Sequence, residues 1–315
     1  MIRFPENETN QALAKRIFLT NLDDSDRFPK YFTLETCNSC NARCTMCPKS
    51  LESNRPAELM SDELFLRIVE QLAPQKDWIE TVGLNSDGEP TLDRKLPERI
   101  RLLKEAGIKR VNFTTNGALM RGAYAEGILD ARVDEVYFSI DSNQDEVFNK
   151  IRVGLKLSQV RENVHAFLTQ RDKTQSKTRV RIRMVEMDEN RDEIQAWASY
   201  WRPFLREGDR LQSMPAHTWS GLIAQEREEN VRVLSDKPCV SPFSSMAINY
   251  DGLVQLCDSD VRQKVMLGDV NTQKIQDIWQ SDAFRRIREL HATAQRNQID
   301  ICQGCDHWSR GFVDR

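Results

Sequence analysis

The 315-residue chain has no apolar run approaching the roughly 20 residues a helix needs to span a bilayer. Its N-terminus, MIRFPENETNQALAKRIFLT, lacks the apolar core of roughly 7 to 15 residues that follows a basic segment in secretory signals. Neither charge sign is in excess: 45 basic side chains face 48 acidic ones, a formal net charge of -3. That balance removes the electrostatic footprint of a nucleic-acid or membrane-surface partner. There is no internal repeat and no low-complexity segment, and histidine is scarce, with four residues thinly spread along the chain. The expectation is a soluble, non-secreted, cytoplasmic protein with neither a nucleic-acid nor a membrane partner. Its length suits one large domain with an appendage, or two domains.

Cysteine is what stands out. A cytosolic chain of this size keeps its thiols reduced, so eight cysteines point to metal ligation or catalysis rather than disulfides. Cys37, Cys40, Cys44 and Cys47 crowd into eleven residues, the next 191 have none, and Cys239, Cys257, Cys302 and Cys305 follow. Two cysteine sites are expected, one near each end.

Between them, short β-branched or aromatic runs alternate with amphipathic helical patterns. Strands are expected at 31–36, 81–85, 110–115, 135–140, 180–185 and 211–214. Helices fit 61–72, with Ser61 as cap, 96–106, ended by Gly107, then 124–131, 144–151, 157–169 and 191–201. Strands joined by right-handed helical crossovers imply an α/β fold, a parallel sheet curled toward a (β/α)6 partial barrel. Active residues then belong on loops at the C-terminal strand ends. The expected domains are a polar lead-in over 1–30 with one short helix at 11–20, the barrel over 31–224, a charged connector over 225–237, and a small domain over 238–315. That small domain carries a hairpin turning at Asp251-Gly252 and a helix at 281–294.

Cys40, Cys44 and Cys47 form C-x3-C-x2-C directly after the first strand. Three thiolates on one loop can hold three irons of a cubane cluster and leave the fourth open to another ligand. A zinc ribbon is the competing reading of the two C-x2-C pairs, but only three residues separate them, against about 12 to 20 in zinc sites. With this motif in CNARCTMC, the sequence resembles the radical S-adenosylmethionine (SAM) superfamily, and further motifs follow in order. Asp87-Gly88-Glu89-Pro90 is similar to the family's GGEP segment, with Asp87 in place of its first glycine; Gly88, Glu89 and Pro90 are the matching residues. The resemblance implies that this segment holds the methionine amino group of SAM. It implies ribose and carboxylate contacts from Asn116, Ser139 and Asp141, and a methionine-carboxylate contact from Arg152, whose guanidinium presents a two-pronged fork. Met46, before the third cysteine, stands where the family has an aromatic residue near adenine. Cys37 is read as a buried strand-end thiol rather than a ligand.

Cys239, Cys257, Cys302 and Cys305 follow C-x17-C-x44-C-x2-C. Taken alone, four such thiolates suit structural zinc. Beside the first motif, the segment resembles the SPASM auxiliary-cluster extension in its shortened "twitch" form, which implies one fully ligated 4Fe-4S cluster suited to electron transfer. The implied cofactors are two 4Fe-4S clusters and SAM, and the implied partners are a small-molecule substrate and a flavodoxin- or ferredoxin-type electron donor. The spacing is similar to that of twitch dehydrogenases that oxidise a secondary alcohol of an aminocyclitol, so the leading expectation is an oxidoreductase acting on a sugar, cyclitol or related polyol. A peptide maturase or epimerase, and a non-catalytic iron-sulfur or zinc module, are the alternatives. Against the peptide reading, about 30 residues precede the first strand. Among the histidines only His217, after the sixth strand, is placed to touch substrate; His165, His291 and His307 are read as structural.

Overall fold

The computed structural model describes residues 3–51, 57–219, 237–303 and 305. Its strands, numbered in chain order, are β1 Tyr31–Leu34, β2 Arg43–Cys44, β3 Thr81–Gly83, β4 Val111–Thr115, β5 Glu135–Ser139, β6 Arg152–Val153, β7 Arg179–Glu186, β8 Arg210–Pro215, β9 Ser245–Ile248, β10 Leu253–Gln255 and β11 Met266–Asp269. By its contacts the chain forms two units: one from Met1–Thr33, Ser61–Glu80 and His217–Arg315, the other from Leu34–Met60 and Thr81–Ala216. These cuts differ from the expected boundaries at 30, 224 and 237. The connector at 225–236 lies outside the described residues.

In the second unit β3, β4, β5, β7 and β8 are neighbours in that order, all parallel. Helices at Leu96–Glu105, Gly122–Asp130, Asp145–Ile151, Leu157–Lys173 and Ile194–Trp201 make the crossovers. Period-two alternation sets which side chains are buried. Val82, Val111, Phe113, Val136, Phe138, Val180, Ile182 and Met184 are buried from solvent. Asn112, Thr114, Tyr137, Ser139 and Arg183 alternate with them and are only half-buried. Each expected strand forms. Gly107 (φ +86°) ends the first crossover helix, in a left-handed conformation that costs glycine little.

In the first unit the expected hairpin forms, with β9 and β10 antiparallel and Val254 opposite Ile248. β11 adds a third strand that alternation did not reveal. Ser61 caps its helix as expected, and Ser281 caps the helix expected at 281–294; they accept from the backbone N–H groups of Leu64 and Phe284. The N-terminal helix runs over Glu8–Arg16, starting earlier than 11 because Asn7 caps it. Nor do these residues act as a lead-in. Phe4, Leu13, Ala14, Ile17, Leu19 and Leu22 form one apolar cluster with Val240, Phe243 and Ala292. Asp26 anchors the same region, accepting from Arg288 at 3.1 Å and Arg285 at 3.0 Å. Among the described residues no helix is long and apolar enough to cross a membrane.

Candidate metal centres

The loop bearing Cys40, Cys44 and Cys47 is fixed by contacts within the second unit. Arg43 donates to the carbonyls of Cys40 and Ala42, and Asn116 donates to the side chain of Asn41 at 2.7 Å. Gly88 lies against the start of the loop: a Cβ there would stand 2.0 Å from the Cys37 carbonyl oxygen and 2.7 Å from that of Ser39. The Glu89 N–H donates to the same Ser39 carbonyl at 2.7 Å. Only glycine permits this approach. Cys37 is buried, and its thiol donates to the Ser39 carbonyl.

The three thiols are electrostatic neighbours. Burial pushes Cys40 up and Cys47 up to about 11, and each feels the charge of Cys44. Thiols that resist ionisation when crowded become stable as thiolates when a cationic cluster sits among them, so the donor set fits an iron-sulfur centre.

Around this loop the structure gathers most of the expected SAM residues. β2 pairs with β6 so that Cys44 stands opposite Arg152. The Arg152 Nε donates to Asp141 and its Nη1 to the Cys44 Sγ at 3.6 Å. Burial alone would weaken the guanidinium's hold on its proton; the charges of Asp141 and Cys44 more than offset this, and it stays cationic. Asp141 is itself buried and accepts from the Val185 N–H at 2.8 Å. Glu89 is engaged inside the fold: its carboxylate accepts from Thr91, from the Thr115 hydroxyl and from the Asn116 N–H. The backbone of Asp87-Gly88 is therefore the part of this segment available to an amino group. Met46 and Pro90 are buried, and Ser139 is half-buried at the end of β5.

One group escaped the sequence reading. On the half-buried register of β4, β5, β7 and β8, Arg181 donates to Glu135 at 3.1 Å and to Gln212 at 3.3 Å. Tyr137 donates to Glu135 and accepts from Asn112. The Arg183 guanidinium lies 4.1 Å from the Tyr137 ring centroid. Burial, then the Glu135 charge, pushes the Tyr137 phenol up to about 12. The signal was present in the alternation of Arg179, Arg181 and Arg183 with Val180, Ile182 and Met184.

The four later cysteines lie in the first unit. Cys239, Cys302 and Cys305 are buried, and each of Cys239, Cys257 and Cys302 is raised first by burial and then by its neighbouring thiols, Cys239 to about 11. Among the described residues no three His, Cys, Asp or Glu side chains close on the position of a single metal ion. Asp260 shapes the loop after Cys257 by accepting from the N–H groups of Lys264 and Val265. His291 accepts from the Cys239 N–H at 3.1 Å, which makes it structural as expected. Asp258, not singled out from sequence, accepts from the Thr33 hydroxyl at 3.3 Å, and burial pushes it up to about 6. His217 also falls in this unit, its ring 5.8 Å from that of Trp219. His307 lies outside the described residues.

A mostly parallel α/β sheet with a three-cysteine loop after its first strand defines a class, and comparison with known proteins names it. The radical SAM superfamily matches residues 34–197, just over half of the chain, and an iron-sulfur cluster-binding (SPASM) domain matches residues 239–306. The chain belongs to the radical SAM superfamily, whose 4Fe-4S clusters and SAM are its cofactors.

Among its relatives, a probable GTP 3′,8-cyclase of Methanococcus maripaludis is 32% identical over 133 residues, 42% of this chain and 43% of the relative. The chain thus matches about two fifths of that cyclase's length. The S-adenosyl-L-methionine-dependent 2-deoxy-scyllo-inosamine dehydrogenase of Niallia circulans is 21% identical over 286 residues, 90% of this chain and 95% of the relative. The crystal structure of BtrN in complex with AdoMet and 2-DOIA superposes with a TM-score of 0.63 at 17% identity, over 89% of this chain and 94% of that one.

Proposed function

We propose that the chain is a radical SAM dehydrogenase oxidising a secondary alcohol of a sugar, cyclitol or related polyol. The end-to-end match carries this reading: the inosamine dehydrogenase aligns over 90% of this chain and 95% of its own length, whereas the more identical cyclase aligns over about two fifths of each. Cys40, Cys44 and Cys47 hold the first cluster, and Cys239, Cys257, Cys302 and Cys305 ligate the second fully. When bound, these cofactors would supply a 5′-deoxyadenosyl radical to take the carbinol hydrogen atom and an acceptor for the electron left behind, the hydroxyl proton leaving to a general base.

The chain's own residues bind, orient and exclude water. Arg152, held by Asp141, takes the SAM carboxylate. The Asp87-Gly88 backbone ahead of Pro90 takes the amino group, Asn116 and Ser139 serve the ribose side, and Met46 packs on adenine. The Glu135–Arg181 pair with Tyr137 and Arg183 forms a rigid polar lining for a hydroxyl-rich substrate. His217, two residues beyond β8, touches the substrate, and a flavodoxin- or ferredoxin-type protein is the electron donor.

The test supplies the reconstituted enzyme with SAM, a reductant and, in separate reactions, cyclitols, sugars and GTP. Ketone forming with 5′-deoxyadenosine from a polyol is the expected result, and Cys302→Ala with Cys305→Ala suppresses the ketone while SAM cleavage continues uncoupled. Circular dichroism and iron content must show that this variant is folded. The identity to cyclases over part of the chain favours GTP as the second candidate; turnover of GTP without ketone formation from any polyol overturns the dehydrogenase reading.

A further inference from the structure

A second cluster that accepts an electron needs surroundings that favour its reduced state. Four thiolates around a 2+ cubane core carry a net charge of about -2, and one added electron makes it about -3. A fixed cation close by stabilises the more negative state, the more so where burial limits screening by salt.

The first unit supplies such a cation. Arg296 opens a short 3-10 turn, Arg296–Gln298, and is only 1% exposed. Its carbonyl accepts from the Ile299 N–H at 3.0 Å, the Ile299 carbonyl from the Cys302 N–H at 2.9 Å, and the Cys302 carbonyl from the Cys305 N–H at 3.4 Å. This ladder ties the arginine to the C-x2-C pair, and its Nη2 folds back to donate to the Cys305 carbonyl at 3.4 Å.

The acidic groups of the same loop are Asp258 and Asp260, one and three residues after Cys257. Asp258 is hydrogen-bonded by Thr33, and Asp260 by the N–H groups of Lys264 and Val265.

We propose that Arg296 is a positioning residue for electron transfer: its buried charge raises the reduction potential of the cluster held by Cys239, Cys257, Cys302 and Cys305. The proposal rests on the reading that these four cysteines ligate a cluster.

The experiment is a potentiometric titration of full-length protein carrying Cys40→Ala, Cys44→Ala and Cys47→Ala, followed by EPR of the reduced second cluster. Arg296→Gln is expected to cut the reduced-to-oxidised ratio at a fixed potential at least tenfold, a fall of about 59 mV for one electron. Arg296→Lys keeps the charge and restores most of the shift. Because Arg296→Gln risks losing the cluster, Arg296→Met, similar in length and uncharged, gives a second reading, and loss of the cluster from both variants makes Arg296 a structural residue and overturns the inference. An unchanged potential in the charge-removing variants that still hold about four irons overturns the inference. A parent protein with no reducible cluster removes the ligand reading, and the inference with it.

Discussion

Gly88 passes so close to the start of the cluster loop that a single added carbon would overlap the Cys37 carbonyl. That carbonyl is backbone and cannot swing away, so Gly88→Ala must push the loop outward, at a cost of about 1 to 3 kcal/mol or more. We predict a lower thermal midpoint and loss of iron from the first site, with the second site filled. Arg152 is the other residue whose geometry is specific. Its two prongs join Asp141 to Cys44, which an ammonium cannot do from one point. Arg152→Lys should weaken SAM binding by about 1 to 3 kcal/mol, roughly 5- to 150-fold, by equilibrium binding to the reconstituted protein. Unchanged affinity would mean that another group, such as Ser139, holds the carboxylate. At this scale C-x3-C-x2-C was legible because its ligands are local in sequence. The engagement of Glu89 with Thr115 and Asn116 was not, because those partners sit on the next strand.

The central parallel strands were legible as elements because each buries one apolar face, as in Val180, Ile182 and Met184 of β7. What the alternation left open was the use of the other face. Arg181 and Glu135 form an ion pair there with side chains 5% and 10% exposed. Removing one partner leaves a buried charge unpaired, so Arg181→Leu should destabilise the protein by about 3 to 5 kcal/mol in denaturant melts. Arg179, 3.8 Å from Glu135, takes up part of that charge and favours the lower figure. Glu135→Leu with Arg181→Leu should recover most of the loss. A double variant as unstable as the single one would show that packing, not charge, dominates at this site. The N-terminal helix was misplaced by about three residues because Asn7 as cap competes with the apolar pattern that begins later.

At the level of the whole molecule, the order of the two matched families was readable and the packing of the N-terminal residues was not. Leu13, Ile17 and Leu22 bury themselves against Val240, Phe243 and Ala292, more than two hundred residues away, a pairing that no window of local periodicity contains. The cysteine count, by contrast, is a whole-chain property: seven ligand-like thiols fall into a three and a four, and the matched families meet them in that order. The central claim is that the first three work together as the SAM-cleaving centre. Its most direct test compares anaerobically reconstituted wild type with the Cys40→Ala, Cys44→Ala, Cys47→Ala variant, measuring iron content and 5′-deoxyadenosine released after SAM and dithionite are added. Wild type should hold about eight irons and release 5′-deoxyadenosine, and the variant should keep about half the iron and release none. Continued SAM cleavage by the folded variant would contradict the account.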